Sequence, residues 1–499
     1  MSKKLAYFLF FISPIIFSQD FDFDLKTEVR ETIEGLKAFT AIPNNSLEHS
    51  DIMRNISWLT DRFTERGFNT ATIDTKGEPL FFAVTPMVEE RPTVLFYMHF
   101  DGQPVDPSKW DQNDPYEVVL KEKQDGEWKE VGWEKLDEGM NYDLRLFGRS
   151  VSDDRGPIVM LLSALDLIKK QKKQLPYNIK IILDSEEERG SKPLPEAVKK
   201  NRELLASDFL IITDGPLHPS EKPTLVFGCR GITTVNLTTY GPVKPQHSGH
   251  YGNYAPNPGF QLSQLLASMK DKEGRVLIKG YYDGIVLDDD TKKVLNSVPD
   301  DEEAIKKRLS FKTAEKVGGN YQEALQYPSL NVRGLSSGWT GAQARTIVPD
   351  KATAAIDMRL VPESDGAKLK ELLKKHIEAE GFYVTDKTPT AQERATYNKI
   401  VTFESGSVTA AFRTDLNNPY AKWVENILAD TFQEDVVKIR IMGGTVPTSA
   451  FINELNIPAV IVPMVNPDNN QHSPNENLSL KHIEYGIKTF YNILSTPVE

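Results

Sequence analysis

The sequence predicts an α/β fold: a mixed, mostly parallel sheet flanked by helices, with a smaller two-layer α+β domain inserted into it. Two observations lead to this fold class. Short, continuously apolar runs alternate with helical patterns in the first and last parts of the chain, which is typical of buried parallel strands joined by helices. Between them, apolar and polar residues alternate, which is typical of half-exposed antiparallel strands.

The first part of the chain alternates between helical and strand patterns. Residues from about 26 to 67 carry apolar side chains at helical spacing, which predicts a helical segment. The apolar run 93–98 follows Pro92 and predicts a buried strand. A helix is predicted from Gly156 onward, because apolar residues recur three and four positions apart behind the pair Gly156-Pro157. Further buried strands are predicted at 178–183, 208–213 and 458–464.

The middle of the chain has the alternating pattern. It is clearest at 232–240 and at 353–360, and each of these stretches is followed by an amphipathic helical pattern. Strands that expose one face, each covered by a helix on the other, make a two-layer α+β module. We therefore expect an inserted domain at 232–407, within a catalytic domain made of 26–231 and 408–499.

The composition disfavours some partners. The 499 residues include 59 Lys and Arg against 71 Asp and Glu, so the formal net charge is −12. An acidic surface disfavours nucleic acid and anionic membranes. Cys229 is the single cysteine, so no intrachain disulfide is possible. We expect it to be a buried, small apolar residue rather than a nucleophile.

The first 18 residues have the pattern of a signal peptide. Lys3 and Lys4 precede a mostly apolar run of 13 residues at 5–17, and Ser18 is a small residue at a plausible cleavage point. The run is short for a bilayer span, although an uncleaved anchor is the alternative. The pattern predicts a secreted or periplasmic protein that has no membrane contact once the leader is cleaved.

Acidic and imidazole side chains follow the carboxyl ends of the predicted strands or precede the predicted helix. Ligands bind at this edge in open α/β sheets. Several carboxylates at close range need cations, and two histidines with three or more acids suit two zinc ions bridged by one carboxylate. The side chains are His99, Asp101, Asp153, Asp154, Glu186, Glu187, Glu188, Asp214 and His472.

Each of these signals has an ordinary alternative when it is taken alone. The acidic triplet 186–188 could be a solvated loop, and Asp153-Asp154 could be the acidic cap of the following helix. His472 could be a surface histidine. Five separated segments that deliver such groups to one edge favour a metal site over these readings.

Eight strings occur along the chain in the order found in a known family. Together they resemble the dizinc exopeptidases that include carnosinase, bacterial dipeptidases, aminoacylase and succinyl-diaminopimelate desuccinylase, with the greatest likeness to the carnosinase-type dipeptidase branch. They span nearly the whole mature chain. The strings lie at 97–104, 148–157, 184–191, 213–215, 246–249, 359–362, 443–447 and 471–477.

The resemblance implies two zinc ions per chain, for which manganese or cobalt could substitute. His99 and Asp214 would bind one ion, Glu188 and His472 would bind the other, and Asp153 would bridge both. In this family a cis peptide bond often follows the bridging aspartate, here between Asp153 and Asp154.

The resemblance also implies catalytic roles. Asp101 would hold the His99 ring in its metal-binding tautomer. Glu187 would be the general base that deprotonates the zinc-bridging water, so that hydroxide attacks the scissile carbonyl, and would then protonate the leaving amine. The inserted domain would be a lid and a dimerisation surface that provides His247 for the oxyanion. The substrate carboxylate would be bound by Arg359, Gly443, Gly444 and Thr445.

The implied function is that of a zinc metallopeptidase of dipeptidase or carboxypeptidase type, which cleaves a small peptide beside its free C-terminal carboxylate. The alternative is an N-acyl-amino-acid deacylase with the same site. A binding protein that has lost catalysis is disfavoured, because Glu187 and all five implied ligands are present. One departure concerns specificity: the segment 415–420 lacks a histidine that carnosinase-branch relatives carry near this point.

Overall fold

The computed structural model describes residues 24–498, which contain 21 strands and 15 α-helices. The strands are β1 (Asn69–Ile73), β2 (Leu80–Val84), β3 (Thr93–His99), β4 (Val119–Gln124), β5 (Glu127–Glu130), β6 (Arg145–Phe147), β7 (Asn178–Asp184), β8 (Phe209–Ile212), β9 (Thr224–Val226), β10 (Gly228–Cys229), β11 (Gly231–Tyr240), β12 (Gln246–His247), β13 (Asn331–Ser337), β14 (Ile347–Val348), β15 (Lys351–Leu360), β16 (Tyr383–Thr385), β17 (Ile400–Thr409), β18 (Phe412–Arg413), β19 (Val437–Ile439), β20 (Ala459–Ile461) and β21 (Asn477–Ser479).

The helices cover the sheets and connect their strands. They are α1 (Leu25–Thr40), α2 (His49–Thr64), α3 (Arg155–Lys170), α4 (Leu194–Lys200), α5 (Arg202–Leu205), α6 (Ser248–Tyr251), α7 (Pro258–Met269), α8 (Asp289–Ser297), α9 (Glu302–Leu309), α10 (Tyr321–Ala324), α11 (Gly366–Ala379), α12 (Ala391–Thr396), α13 (Pro419–Phe432), α14 (Ser449–Leu455) and α15 (Leu480–Ser495).

The largest sheet has eight strands in the order β1-β2-β7-β3-β8-β20-β9-β19. At its centre, β3 pairs in parallel with β7 and β8, and β8 pairs in parallel with β20. The pairs β1–β2, β2–β7 and β20–β9 are antiparallel. The predicted mixed α/β sheet is confirmed, and the carboxyl ends of its four central strands meet at one edge.

Helices cover both faces of this sheet, which explains why its strands are continuous apolar runs in the sequence. Successive side chains of β3 point to opposite faces. Phe96 and Met98 pack in the core beneath α1, α3 and α15, whereas Leu95 and Tyr97 pack in a second core against α4 and α14. A polar residue at any of these positions would be buried on one side or the other.

The helical segment predicted from about 26 to 67 is two helices. α1 ends at Thr40 and α2 begins at His49, and the break between them contains Pro43, which cannot donate a helical hydrogen bond. Asn44 in this break donates its amide to the carbonyl of Phe100 at 2.8 Å. The break therefore ties the start of the chain to the end of β3.

The alternating stretches in the middle of the chain form a separate five-stranded sheet in the order β13-β15-β11-β17-β16. Alternate residues of β11 and β15 are buried, and they pack against α7 and α11 in a core of their own. This sheet spans 231–409, so it begins one residue before and ends two residues after the stretch expected to be an inserted domain. The boundaries 232–407 and the lid role stay predictions.

A four-stranded sheet, in the order β21-β6-β4-β5, has no counterpart among the predicted elements. Its pair β6–β21 places the loop before α3 beside the segment that follows His472. The amide of Gly148 also donates to the carbonyl of Glu476 at 3.1 Å. The small sheet therefore brings together two site segments that are over 300 positions apart.

Residues 1–18, which carry the predicted signal peptide, lie outside the described part of the chain. Within residues 24–498, no helix has the length and apolar character needed to cross a membrane.

Candidate metal centre

The candidate site lies at the carboxyl edge of the central strands. His99 is the last residue of β3, and Asp214 lies two positions after β8. A single 3₁₀ turn, Glu187–Arg189, begins shortly after β7. Asp153 comes from the loop before α3, and His472 comes from the long loop between β20 and β21. Five chain segments therefore contribute to one site.

The five side chains implied as ligands form two groups that share Asp153. In one group, the donor atoms of His99, Asp153 and Asp214 all lie within 4.8 Å of one another, and the same holds for Asp153, Glu188 and His472 in the other. Nε2 of His99 lies 3.0 Å from Oδ1 of Asp153. Nε2 of His472 lies 3.1 Å from Oδ2 of Asp153 and 3.0 Å from Oε2 of Glu188. Each oxygen of Asp153 thus faces a different histidine, as a bridging carboxylate would.

The charge of this cluster fits divalent cations. No lysine or arginine between residues 24 and 498 lies within 4 Å of the carboxylates of Asp153, Asp214 or Glu188. Burial, reinforced by Asp153 and Glu188, raises the pKa of Asp214 to about 6. Burial opposes the ionisation of Asp153 too, but hydrogen bonds with His472 and His99 hold its pKa well below the usual range. Carboxylate oxygens and imidazole nitrogens are donors that suit zinc, manganese or cobalt.

Asp101 supports two of these segments. Its Oδ1 lies 3.4 Å from Nδ1 of His99, on the opposite side of the ring from Asp153. Its carboxylate also accepts the backbone N–H groups of Glu187 at 3.1 Å and Glu188 at 3.3 Å. Asp101 therefore holds the acidic turn beside the His99 ring, and its carboxylate faces the ring nitrogen that points away from the cluster.

Asp154 holds the backbone of the same histidine. Its Oδ2 accepts the N–H of His99 at 3.3 Å, and burial raises its pKa well above the usual range. The peptide bond between Asp153 and Asp154 is cis, as the resemblance implies.

Glu476 is a buried residue to which sequence reasoning gave no role. Its Oε1 accepts the backbone N–H groups of Ser152 and Asp153, each at 3.0 Å. Its Oε2 accepts the N–H of Ser150 and Nη1 of Arg149, each at 2.8 Å. One carboxylate therefore fixes the whole loop that presents Asp153.

The sequence contained a weak signal for Glu476. It is the single acidic residue in the string 471–477, four positions after His472. Its partners are backbone amides on a loop more than 300 positions away, and no spacing rule connects the two. The β6–β21 pair brings the two segments together.

The acidic turn separates Glu187 from Glu186. Oε2 of Glu186 accepts the N–H of Glu78 at 2.7 Å, and its Oε1 lies 3.4 Å from Nη1 of Arg189. The carboxylate of Glu187 has no hydrogen bond or ion pair with any described residue. Burial raises the pKa of Glu187 well above its usual range, and the charge of Asp214 raises it further. A raised pKa makes a carboxylate a stronger proton acceptor.

Two of the residues implied to bind the substrate carboxylate, Arg359 and Thr445, are in direct contact. Nη1 of Arg359, on β15, donates to Oγ1 of Thr445 at 2.7 Å, and this hydroxyl donates to the carbonyl of Arg230 at 2.6 Å. The guanidinium of Arg359 forms no ion pair within residues 24–498. The carbonyl of Gly444 accepts the N–H of Arg230 at 3.1 Å, and Gly443 is its neighbour in the same turn.

His247 is not brought into this site. It is exposed at the end of β12, where its Nδ1 accepts the N–H of Gly249 at 3.0 Å and its ring centre lies 4.9 Å from that of His250. No hydrogen bond, ion pair or ring contact in the described chain joins His247 to the metal cluster. Contacts within one chain therefore do not bring His247 to the position that the implied oxyanion role requires.

A mixed α/β sheet that carries two carboxylate–imidazole groups joined by one aspartate is consistent with a metal-dependent hydrolase. Comparison with known families places the chain within that class. The chain belongs to the peptidase family M20/M25/M40, whose model matches residues 95–496. The resemblance seen in the eight strings is thereby confirmed, and the protein is a metallohydrolase of this family.

Individual relatives are similar over nearly the whole length. The Cys-Gly metallodipeptidase of Candida albicans is 26% identical, with 94% of this chain and 95% of the relative covered. The Beta-Ala-His dipeptidase of Homo sapiens is 24% identical, with coverage of 92% and 89%. Among solved structures, an M20 family metallo-carboxypeptidase from Sulfolobus solfataricus superposes with a TM-score of 0.74 at 28% identity, covering 93% of this chain and 98% of that one.

The comparison corrects the predicted location. The Cys-Gly metallodipeptidases that the chain matches in three yeasts are cytosolic enzymes, so the prediction of a secreted or periplasmic protein is wrong. That prediction depended on two lysines and a short apolar run. Short apolar runs also occur in segments that are not export signals, so this pattern alone does not establish export.

We expect Glu476→Gln to weaken metal binding about 10- to 100-fold, as loss of a residue that supports a ligand does. The new amide N–H₂ would face backbone N–H donors that now meet an oxygen, so the loop would move and displace Asp153. Competition for zinc against a chromophoric chelator measures the change. Glu203→Gln, on the exposed surface of α5, is the control, and equal affinities of the two variants would contradict the role given to Glu476.

Proposed function

We propose that the protein is a zinc-dependent metallopeptidase of dipeptidase or carboxypeptidase type, which hydrolyses the peptide bond next to a free C-terminal carboxylate. The observation that carries the proposal is the sharing of Asp153 between two imidazole–carboxylate groups, with the unpaired carboxylate of Glu187 beside them. The names of the relatives, metallodipeptidase, dipeptidase and metallo-carboxypeptidase, support a small peptide as substrate.

In this proposal two zinc ions occupy the two groups. His99 and Asp214 would hold one ion, Glu188 and His472 the other, and Asp153 both. When bound, such a pair lowers the pKa of a water molecule and polarises the scissile carbonyl. Asp101 keeps Nε2 of His99 directed at the cluster throughout.

Glu187 is the proton carrier of the proposed reaction. Burial raises its pKa, which brings the carboxylate closer to the pH at which it can both accept and return a proton. It takes the proton from the attacking water and delivers it to the nitrogen of the leaving amine. Because its carboxylate has no partner within residues 24–498, this transfer breaks no existing hydrogen bond.

Arg359 binds the substrate's C-terminal carboxylate. Its Nη1 is held by Thr445, which fixes the plane of the guanidinium and leaves the other nitrogens for a bidentate contact. The turn at Gly443 and Gly444 lies beside Thr445, where the absence of side chains lets a ligand approach the backbone. A substrate without a free carboxylate would leave this arginine unpaired.

The proposed enzyme is a homodimer that pairs through the inserted domain. β13 is an edge strand that is exposed along its whole length, and the exposed side chains of Leu335 and Trp339 lie on it or just after it. An edge of this kind is a ready site for pairing with a second copy. His247 would then serve the site of the partner subunit, which accounts for its separation from the cluster of its own chain.

We expect Glu187→Gln to lower kcat for a dipeptide such as Ala-Gly by about 10²- to 10⁴-fold, because the proton carrier is lost while the ligands remain. Zinc content, measured by elemental analysis, should be unchanged. Steady-state kinetics on the zinc-loaded protein gives the change in kcat.

Glu186→Gln is the matched control for this experiment, because it is the same substitution one position earlier. It should keep most of the turnover, since Glu186 makes structural contacts and the base is its neighbour. Full activity in the Glu187 variant, or a larger loss in the Glu186 variant, would contradict the assignment.

Arg359→Lys should lower kcat/KM for a dipeptide at least tenfold, because a lysine cannot form the planar pair of hydrogen bonds to a carboxylate. The C-terminal amide of the same dipeptide, which lacks the carboxylate, is the internal control and should be cleaved slowly and equally by both proteins. N-acetyl amino acids in the same assay test the deacylase alternative. Wild-type protein that cleaves amides as fast as free acids would remove the proposed role of Arg359.

A further inference from the structure

A cavity of about 440 Å³ lies in the middle part of the chain, beside the turn that holds Arg359. Its volume is within the range of small-molecule sites. Arg230 forms part of its wall together with apolar and aromatic side chains, and the other charged lining residues are Lys270, Lys306, Lys316, Glu302 and Glu315. The apolar and aromatic lining residues include Val276, Tyr282, Ile305, Phe311, Tyr321 and Leu330.

Three contacts connect this cavity to the proposed carboxylate site. The hydroxyl of Thr445, which holds Arg359, also donates to the carbonyl of Arg230 at 2.6 Å. The N–H of Ser329, on the cavity wall, donates to the carbonyl of Arg359 at 3.0 Å. A Cβ atom added at Gly443 would lie 3.4 Å from the side chain of Leu325, which is another wall residue. The backbone at Arg359 and the hydroxyl of Thr445 are therefore in direct contact with residues of the cavity wall.

The guanidinium of Arg230 is buried without an opposite charge. Arg230 is 7% exposed, and no carboxylate within residues 24–498 lies within 4 Å of it. Its Nη2 donates to the carbonyl of Tyr327 at 2.7 Å, while its Nε has no hydrogen-bond partner in the described chain. Burial and the nearby charge of Arg359 lower the pKa of Arg230 to about 10. An unpaired buried cation is costly, and an anionic ligand would remove that cost.

The acids near Arg230 have other partners. Glu315 forms an ion pair with Lys270 at 2.9 Å, and Oε1 of Glu302 accepts the N–H of Tyr321 at 2.9 Å. Asp357, which also acts on Arg230 through its charge, accepts a hydrogen bond from Asn331 at 2.9 Å. None of these three carboxylates forms an ion pair with Arg230.

We propose that the cavity is the subsite for the side chain of the substrate's C-terminal residue, and that Arg230 selects an acidic side chain there. Arg359 would bind the α-carboxylate and Arg230 the side-chain carboxylate, so the preferred peptides end in glutamate or aspartate. The apolar wall would contact the methylene groups between the two carboxylates. This inference rests on the proposed function, since it extends the same site.

The test compares Ala-Glu with Ala-Gln, which have the same shape and differ in charge. Wild-type protein should have a kcat/KM about 10- to 100-fold higher for Ala-Glu, because a charge-assisted pair of hydrogen bonds is lost with the amide. In Arg230→Met this ratio should fall toward one. Lys312→Met, which removes an exposed positive charge outside the cavity, should keep the wild-type ratio.

A wild-type ratio near one, or a ratio that Arg230→Met leaves unchanged, would overturn the subsite. If the methionine variant does not fold, Arg230→Lys replaces it and should give an intermediate ratio, because the charge remains while the planar fork is lost.

Calorimetry with free glutamate and glutamine separates this inference from the proposed function. One outcome is a protein that binds glutamate more tightly than glutamine, with a preference that depends on Arg230, and yet cleaves neither dipeptide. That result would support the subsite and reject the peptidase function. Cleavage of both dipeptides at equal rates would keep the peptidase and reject the subsite.

Discussion

The carboxylate of Asp153 lies between two histidines, and the surrounding structure depends on keeping it there. His99 approaches one oxygen from the end of β3, and His472 approaches the other from a loop that comes late in the chain. Glu476 fixes the backbone on which Asp153 is carried, through three backbone N–H groups and two side-chain donors at 2.8–3.0 Å. The β6–β21 pair in turn brings Glu476 to that backbone. Loss of any of these connections would separate the two ligand groups.

The charges of the buried acids explain why this arrangement suits metal ions. Several buried acids share the edge of the sheet, and burial, reinforced by neighbouring carboxylates, raises the pKa values of Asp101 and Asp214 to about 6. Such a cluster resists full ionisation unless cations enter it, and that requirement is what makes it a metal site rather than a surface patch. The carboxylate of Glu187 has no hydrogen bond or ion pair within residues 24–498, and burial raises its pKa, which suits the proton carrier proposed for it. Arg230 and Arg359, neither of which forms an ion pair within residues 24–498, carry the opposite charge, and this suits the proposed substrate with its carboxylates at one end.

Much of this could be predicted from the sequence, and the rest could not for definite physical reasons. The strands of the central sheet are buried on both faces, so their apolar runs are visible, and the polar residues just beyond them mark the edge where ligands bind. The break between α1 and α2 was missed because helical periodicity continues across it. The roles of Glu476 and Arg230 depend on backbone groups and on the absence of a counter-ion, and neither has a sequence pattern. His247 occurs in a recognisable string, yet its exposed position shows that a motif does not by itself establish a contact.

The central claim is that two metal ions share Asp153. Calorimetric titration of metal-free protein with zinc tests it most directly, when wild type is compared with Asp153→Asn, a variant of the same shape without the charge. The account predicts two zinc ions per wild-type chain and a large loss of affinity at both sites in the variant, because each group loses its common ligand. One zinc ion per wild-type chain, or a variant that loses one site and keeps the other intact, would contradict it.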